Sequence, residues 1–158
     1  MKHVVGVADM KTSKQPEDEL ITHGLGSCLG VAVYDPVAKV GGMLHAMMPD
    51  SSINPDKAKA NPGMFVDSGV PTLFAGIERD GGLRSRCKLK IAGGALINGT
   101  NDYFETGRRN YVALKRMLWK CGMLIDAEDI GGNDARTMRL EIKSGQVRMT
   151  KKGVDYYL

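Results

Sequence analysis

Only three cysteines are present, Cys28, Cys87 and Cys121, an odd number without a C-x-x-C pair. That arithmetic argues against a disulfide framework and against a paired-cysteine zinc site. His3, His23 and His45 add soft ligands, but none stands at the spacing of a zinc centre, so no metal is expected. No apolar run approaches the length of a membrane-spanning helix, and no signal peptide precedes the cysteines. A reduced, cytoplasmic protein without direct membrane insertion is therefore expected. The chain lacks internal repeats and low-complexity tracts, and it lacks a complete dinucleotide fingerprint. Gly24-Leu25-Gly26 begins one, but position 29 is leucine and the residues after it are strand-like where a phosphate-binding helix should start.

Charge is not scarce, but it is unevenly placed. Residues 1–78 carry 6 Lys and Arg against 9 Asp and Glu, whereas residues 79–158 carry 16 against 9, within a net charge of +4. A basic half favours an acidic partner surface. Its cations are scattered without a recognition-helix, zinc-finger or RNA-binding-sheet pattern, so a solvated basic face is expected and nucleic acid is not. The 158 residues, 42% apolar and 25% charged, suit one soluble domain spanning 1–158.

Alternation and breakers predict strands at Val4–Ala8, Glu19–His23, Leu29–Tyr34, Val40–Met47, Cys87–Ala92, Met123–Ala127, Met138–Ile142 and Gln146–Thr150. Lys11–Asp18 reads as a polar connection, and Ile53–Gly63, with two Asn-Pro pairs, as a breaker-rich rim or lid loop. Val66, Val70, Leu73, Phe74 and Ile77 predict a helix capped at Ser68, with Pro71 in its first turn and Gly81-Gly82 as its stop. Tyr111, Leu114, Leu118 and Cys121 predict a second, capped by Asn110 and ended by Gly122. Strands outnumber helices without βαβ alternation, which predicts an α+β class.

The most informative stretch is Thr22-His23-Gly24-Leu25-Gly26-Ser27-Cys28-Leu29-Gly30, one thiol in a run of three glycines. Glycine leaves the main chain bare, so a carbonyl can approach the amides around Cys28. A thiol attacks as its thiolate and needs a base. His45, on the strand that follows the turn at Tyr34-Asp35-Pro36-Val37, is the candidate. Thr22 would orient the imidazole through its side chain or its carbonyl. A buried structural cysteine and a core histidine are the competing readings.

These residues, with Asp35–Gly41, Pro49-Asp50-Ser51, Lys90–Ala95, Gly107–Asn110 and Ala127–Arg136, resemble the CheD family of chemoreceptor glutamine deamidases over nearly the whole chain. His23 departs from it, standing where an apolar residue is usual; strand alternation would point it away from Thr22. The resemblance implies a mixed β-sandwich with helices packed outside it. It implies catalytic Cys28, His45 and Thr22, an oxyanion site at Gly26 and Ser27, and a pocket wall at Gly93, Gly94 and Asn133. It implies glutamine deamidation without a cofactor, methyl-accepting chemotaxis receptors as substrates and a CheC-type phosphatase as partner. Glutamyl methyl-ester hydrolysis is a related expectation. A non-catalytic docking module and a cysteine protease or transglutaminase-like enzyme are the alternatives. Met47, Met48, Met64, Tyr103 and Phe104 are the candidate apolar rim for a helical partner, and Met43 joins the methionine-rich run.

Overall fold

Alternate residues of the central strands bury toward different layers, and this alternation organises the molecule. The computed structural model describes residues 1–96 and 105–158. In chain order its elements are β1 Lys2–Val4, β2 Met10–Ser13, β3 Glu19–Leu25, β4 Leu29–Asp35, β5 Val40–Ala46, α1 Pro55–Ala60, α2 Val66–Arg79 and β6 Lys88–Gly93. Then follow α3 Thr106–Lys120, β7 Ala127–Ile130, β8 Arg136–Glu141, β9 Val147–Lys151 and β10 Val154–Tyr157. Two five-stranded sheets form, β1-β3-β8-β9-β10 and β2-β5-β4-β6-β7. Each is mixed, because β1–β3 and β6–β7 pair parallel and the other neighbours antiparallel.

Leu29, Val31 and Val33 of β4, Val40 and Leu44 of β5, and Leu89 and Ile91 of β6 pack against Val70, Leu73, Phe74 and Ile77 of α2 and Leu114 and Leu118 of α3. The intervening residues Ala32, Tyr34, Met43 and Ala92 face the other sheet and meet Leu20, Met138, Leu140, Val147 and Met149. The β2-β5-β4-β6-β7 sheet is thus covered on both faces, which is why β4 and β5 are buried at every position and read as nearly continuous apolar runs. The resulting layers are helices, sheet and sheet, an α+β sandwich with helices outside it, as the resemblance implies.

Several boundaries differ from the sequence reading, each for a local reason. Lys11–Ser13, read as connection, joins Met10 in edge strand β2, bonded to β5. Val4–Ala8 stops being a strand after Val4, because the chain leaves one sheet for the other and Ala8 turns at φ 63. Within Ile53–Gly63, Pro55–Ala60 is a short helix whose first amides are met by Asn54, its Oδ1 accepting from Lys57 N–H at 3.1 Å. α2 starts at Val66, before Ser68, whose hydroxyl donates instead to Pro62 O at 2.7 Å, so Pro71 falls in the second turn. The Met123–Ala127 strand begins only at Ala127, and β10 was not anticipated. α3 begins at Thr106, a full turn before Asn110, which lies inside the helix.

Candidate active site

β3 and β5 belong to different sheets, and Thr22 and His45 lie on the sides of them that face each other. Thr22 Oγ1 lies 2.7 Å from His45 Nδ1, and both residues are fully buried. The same hydroxyl donates its one proton to Val5 O at 2.7 Å. It has none left for the imidazole, so it accepts, and Nδ1 carries the ring proton. The other nitrogen, Nε2, therefore presents a lone pair, and among the described residues it has no hydrogen-bond partner. Thr22 uses its side-chain oxygen, which resolves the alternative left open by the sequence. The crossover from β1 to β2 clamps this pair. Val5 N–H donates to Ile21 O at 2.7 Å, Ala8 N–H to His45 O at 2.9 Å, and His45 N–H to Asp9 O at 3.0 Å.

Cys28 sits just before β4. In the β4–β5 register Gly30 is opposite His45. Cys28, two residues earlier, takes the same inter-sheet side and packs on that core. A side chain at Gly30 would collide with Leu25 and Met138, its Cβ only 2.7 Å from a Leu25 methyl. Every carbonyl of the loop that presents the thiol is held. Gly26 O accepts from Ala95 N–H at 2.8 Å, Ser27 O from Asn110 Nδ2 at 3.0 Å, and Cys28 O from Gly94 N–H at 3.0 Å. In a trans peptide the N–H points opposite to the C=O. The Ser27 and Cys28 amides are thereby turned away from those anchors, and among the described residues neither has an acceptor on another residue. Gly26 N–H is committed to Gly24 O at 2.9 Å, which removes it from the expected oxyanion set.

Gly93 and Gly94 act from behind the loop. Gly93, at φ +108, brings its Cα so close to Cys28 O that a Cβ could not fit, and Gly94, at φ +61, supplies the amide that binds that oxygen. Asn133 is exposed in the loop after β7, whose Gly131 N–H donates to Gly93 O and Gly132 O accepts from Leu96 N–H, both at 2.9 Å. Among the described residues its side chain makes no hydrogen bond. His23 is exposed beside Thr137, away from Thr22, as alternation requires. Tyr103 and Phe104 lie outside the described residues.

Two residues with structural command of the site carried no such role in the sequence reading. Asn110, fully buried, donates through Nδ2 to Ser27 O and to Met47 O, both at 3.0 Å, and so ties the thiol loop to the segment after His45. Its signal was present, since Asn110 stands at i−4 and i−8 from Leu114 and Leu118, a polar residue on a buried helical stripe. Arg136, also buried, donates to Asp129 Oδ2 at 3.1 Å, Gly131 O at 2.6 Å and Gly93 O at 3.4 Å, fixing the turn behind Cys28. It alternates with Met138 and Leu140, a cation on an inward-facing strand side.

Burial pushes the Cys28 thiol above its usual value, and its own backbone N–H, turned toward the sulfur, partly opposes that. Burial also lowers His45 below the usual imidazole range. Both shifts favour the neutral form of the group around pH 7. Cys87 donates to Leu83 O at 3.3 Å, with its thiol pushed up to about 11 by burial and then by the Asp35 charge, and Cys121 is exposed at the end of α3. Among the described residues no three His, Cys, Asp or Glu side chains converge as metal ligands.

A buried, tautomer-fixed imidazole and a thiol in an amide-lined loop, on the same inter-sheet side, suit attack on a carboxamide or ester carbon. The chain is similar to known proteins along most of its length. The family model described as CheD chemotactic sensory transduction matches residues 47–151. A probable chemoreceptor glutamine deamidase CheD of Solibacter usitatus (strain Ellin6076) is 45% identical over 150 residues, covering 95% of this chain and 89% of that protein. The probable chemoreceptor glutamine deamidase CheD 1 of Syntrophus aciditrophicus (strain SB) is 45% identical over 150 residues, covering 95% and 94%. That of Desulforamulus reducens is 46% identical over 152 residues, covering 94% and 90%. Alignments of this extent include positions 22–45, which the family model, starting at 47, does not. By both matches, the chain belongs to the CheD family.

Proposed function

We propose that this chain deamidates glutamine side chains of methyl-accepting chemotaxis receptors, with Cys28 as nucleophile, His45 as base and acid, and Thr22 as the residue that orients His45. The observation that carries the reading is the Thr22–His45 hydrogen bond, which puts the ring proton on Nδ1 and leaves Nε2 as a lone pair without a partner among the described residues. The Cys28 proton passes to Nε2 as sulfur attacks the glutamine carboxamide carbon. The tetrahedral oxyanion is met by the Ser27 and Cys28 amides. Nε2–H then protonates the departing nitrogen, ammonia leaves, and a thioester remains. Water, deprotonated by Nε2, attacks the thioester, and the returning proton restores the thiol as glutamate is released. A glutamyl methyl ester would pass through the same thioester with methanol leaving.

The CheD names of the relatives and the lack of a described helix long and apolar enough to cross a membrane support a cytoplasmic enzyme acting on the inner part of a receptor. A CheC-type phosphatase, implied by the resemblance, would inhibit by competing for the surface around Cys28. Mass spectrometry of a receptor cytoplasmic fragment tests the reading. Wild-type protein raises the fragment's mass by amide-to-acid conversion without cleaving it, and Cys28→Ala abolishes the change. Conversion at the wild-type rate by Cys28→Ala, or cleavage of the chain, would overturn it.

A further inference from the structure

Among the described residues the most exposed apolar side chains lie away from Cys28. Trp119 and Leu124 are each 83% exposed, and Val112 precedes them on the outer side of α3 at 44%. A large aromatic in water gains nothing from the fold, and exposed apolar side chains that share one groove, as Val112, Trp119 and Leu124 do, mark an interaction surface. The strip has a cationic frame. Arg108, Arg109, Lys115, Arg116 and Lys120 all lie on α3, which has no carboxylate between Thr106 and Lys120. Arg108 approaches Glu105 at 3.7 Å and Lys115 lies over the Tyr111 ring at 5.3 Å. Among the described residues Arg109, Arg116 and Lys120 have no carboxylate partner.

The Val112–Arg116–Trp119 ridge runs between two grooves. One, of about 670 Å³, has Trp119, Met123, Leu124 and Ile125 in its wall. The other, of about 800 Å³, lies toward Pro49 and Ile53, beside the segment that follows His45. A ridge with a groove on each side is the surface into which another helix packs. A flat anionic bilayer suits it less well, because a plane resting on the ridge would span both grooves and meet Asp50, Asp67 and Glu105 of the second, whereas a helix seated on Trp119 and Leu124 in the first groove avoids them. α3 also contacts the catalytic loop directly, through Asn110 to Ser27 O and Met47 O. Nine residues separate Asn110 from Trp119, about 13 Å along the axis, so one rigid element carries both surfaces.

We propose that the outer face of α3 is an exosite, on which an acidic amphipathic helix of the protein substrate docks while a glutamine of that substrate reaches Cys28. Trp119 and Leu124 supply the apolar anchor, and Arg116, Lys120 and Lys115 pair with the carboxylates of the incoming helix. This rests on the receptor-deamidase reading and adds to it how a long substrate is told from a short one.

The test separates docking from chemistry. Binding of a receptor cytoplasmic fragment to the Cys28→Ala protein is measured by calorimetry, with and without Trp119→Ala, Arg116→Glu and Lys120→Glu combined. These side chains are exposed, and circular dichroism checks the fold. The expected result is an affinity loss of about tenfold or more. Wild-type affinity also falls as salt rises, more steeply than that of the variant. With Cys28 present, the triple variant loses kcat/KM on the fragment to the same degree. Its rate on a tripeptide with a central glutamine, at most about 11 Å long, is unchanged. Equal affinity and equal kcat/KM for variant and parent would overturn the exosite. So would loss of binding to phosphatidylserine-containing vesicles with fragment binding intact, which assigns the face to lipid. Fragment binding that depends on this face without any glutamine conversion would uphold the exosite and refute the deamidase reading.

Discussion

Replacing Thr22 by valine removes one oxygen and almost no volume, and it should disable the base without unfolding the protein. In the transition state His45 carries a positive charge and donates from Nδ1 to Thr22 Oγ1, a bond made at 2.7 Å in a fully buried site. A hydrogen bond to a charged group is worth about 1.5–3 kcal/mol, so kcat/KM should fall by about 10- to 150-fold. The resting enzyme also loses the acceptor that keeps the proton on Nδ1, and a ring with its proton on Nε2 is no base toward Cys28. Thr22→Ser keeps the hydroxyl and its donation to Val5 O, and should recover most of the rate. Conversion of a receptor fragment, followed by mass spectrometry, measures the rates, and ¹⁵N shifts of the His45 ring report which nitrogen bears the proton. Wild-type kcat/KM in Thr22→Val, or a wild-type ring protonated at Nε2, would refute the reasoning.

Gly93→Ala places a Cβ against Cys28 O at φ +108, a collision only the thiol loop can relieve, so kcat/KM should fall about tenfold or more; Gly81→Ala, at φ +98 with open space around it, pays a similar backbone cost without loss of rate. Asn110→Ala leaves Ser27 O and Met47 O without their donor and should cost about 2 kcal/mol or more, lowering Tm by about 4–8 °C with a parallel fall in kcat/KM, measured by calorimetry and rate together. In the pH profile of kcat/KM the acid limb should lie below 6.5, because burial keeps His45 neutral, and the alkaline limb above 9.0, because burial raises Cys28; an acid limb above 6.5 would contradict the neutral resting pair. Asp35 gives a separate stability test. Burial pushes its carboxyl up, but Arg86 and the amides of Leu83, Ala38 and Val37 outweigh burial and hold it at about 2. Its contribution is present above 3.8 and lost as pH falls toward about 2, and acid unfolding of Asp35→Asn should lack that component.

Much of the site was legible in the chain because its signals are local. Gly24, Gly26 and Gly30 around one cysteine mark a bared backbone, and the alternation of β4 and β5 places Cys28 and His45 on one face from two residues' parity alone. Tyr111, Leu114 and Leu118 announced α3, but Asn110 looked like its cap. A helix cap and a buried clamp are the same residue type, and only the position of the loop at Ser27 and Met47 decides between them. The same holds for β2, whose polar residues read as a connection until β5 is beside them to accept their hydrogen bonds. Local sequence, through backbone preference and burial period, determined β4, which Cys28 precedes, and β5, which carries His45. Which Thr22 oxygen meets His45 and what holds the Cys28 loop in place were decided by contacts between residues 17 to 83 positions apart, such as Thr22 with Val5 and Asn110 with Ser27. Such bonds have no period along the chain, since they exist only after two sheets and a helix have packed.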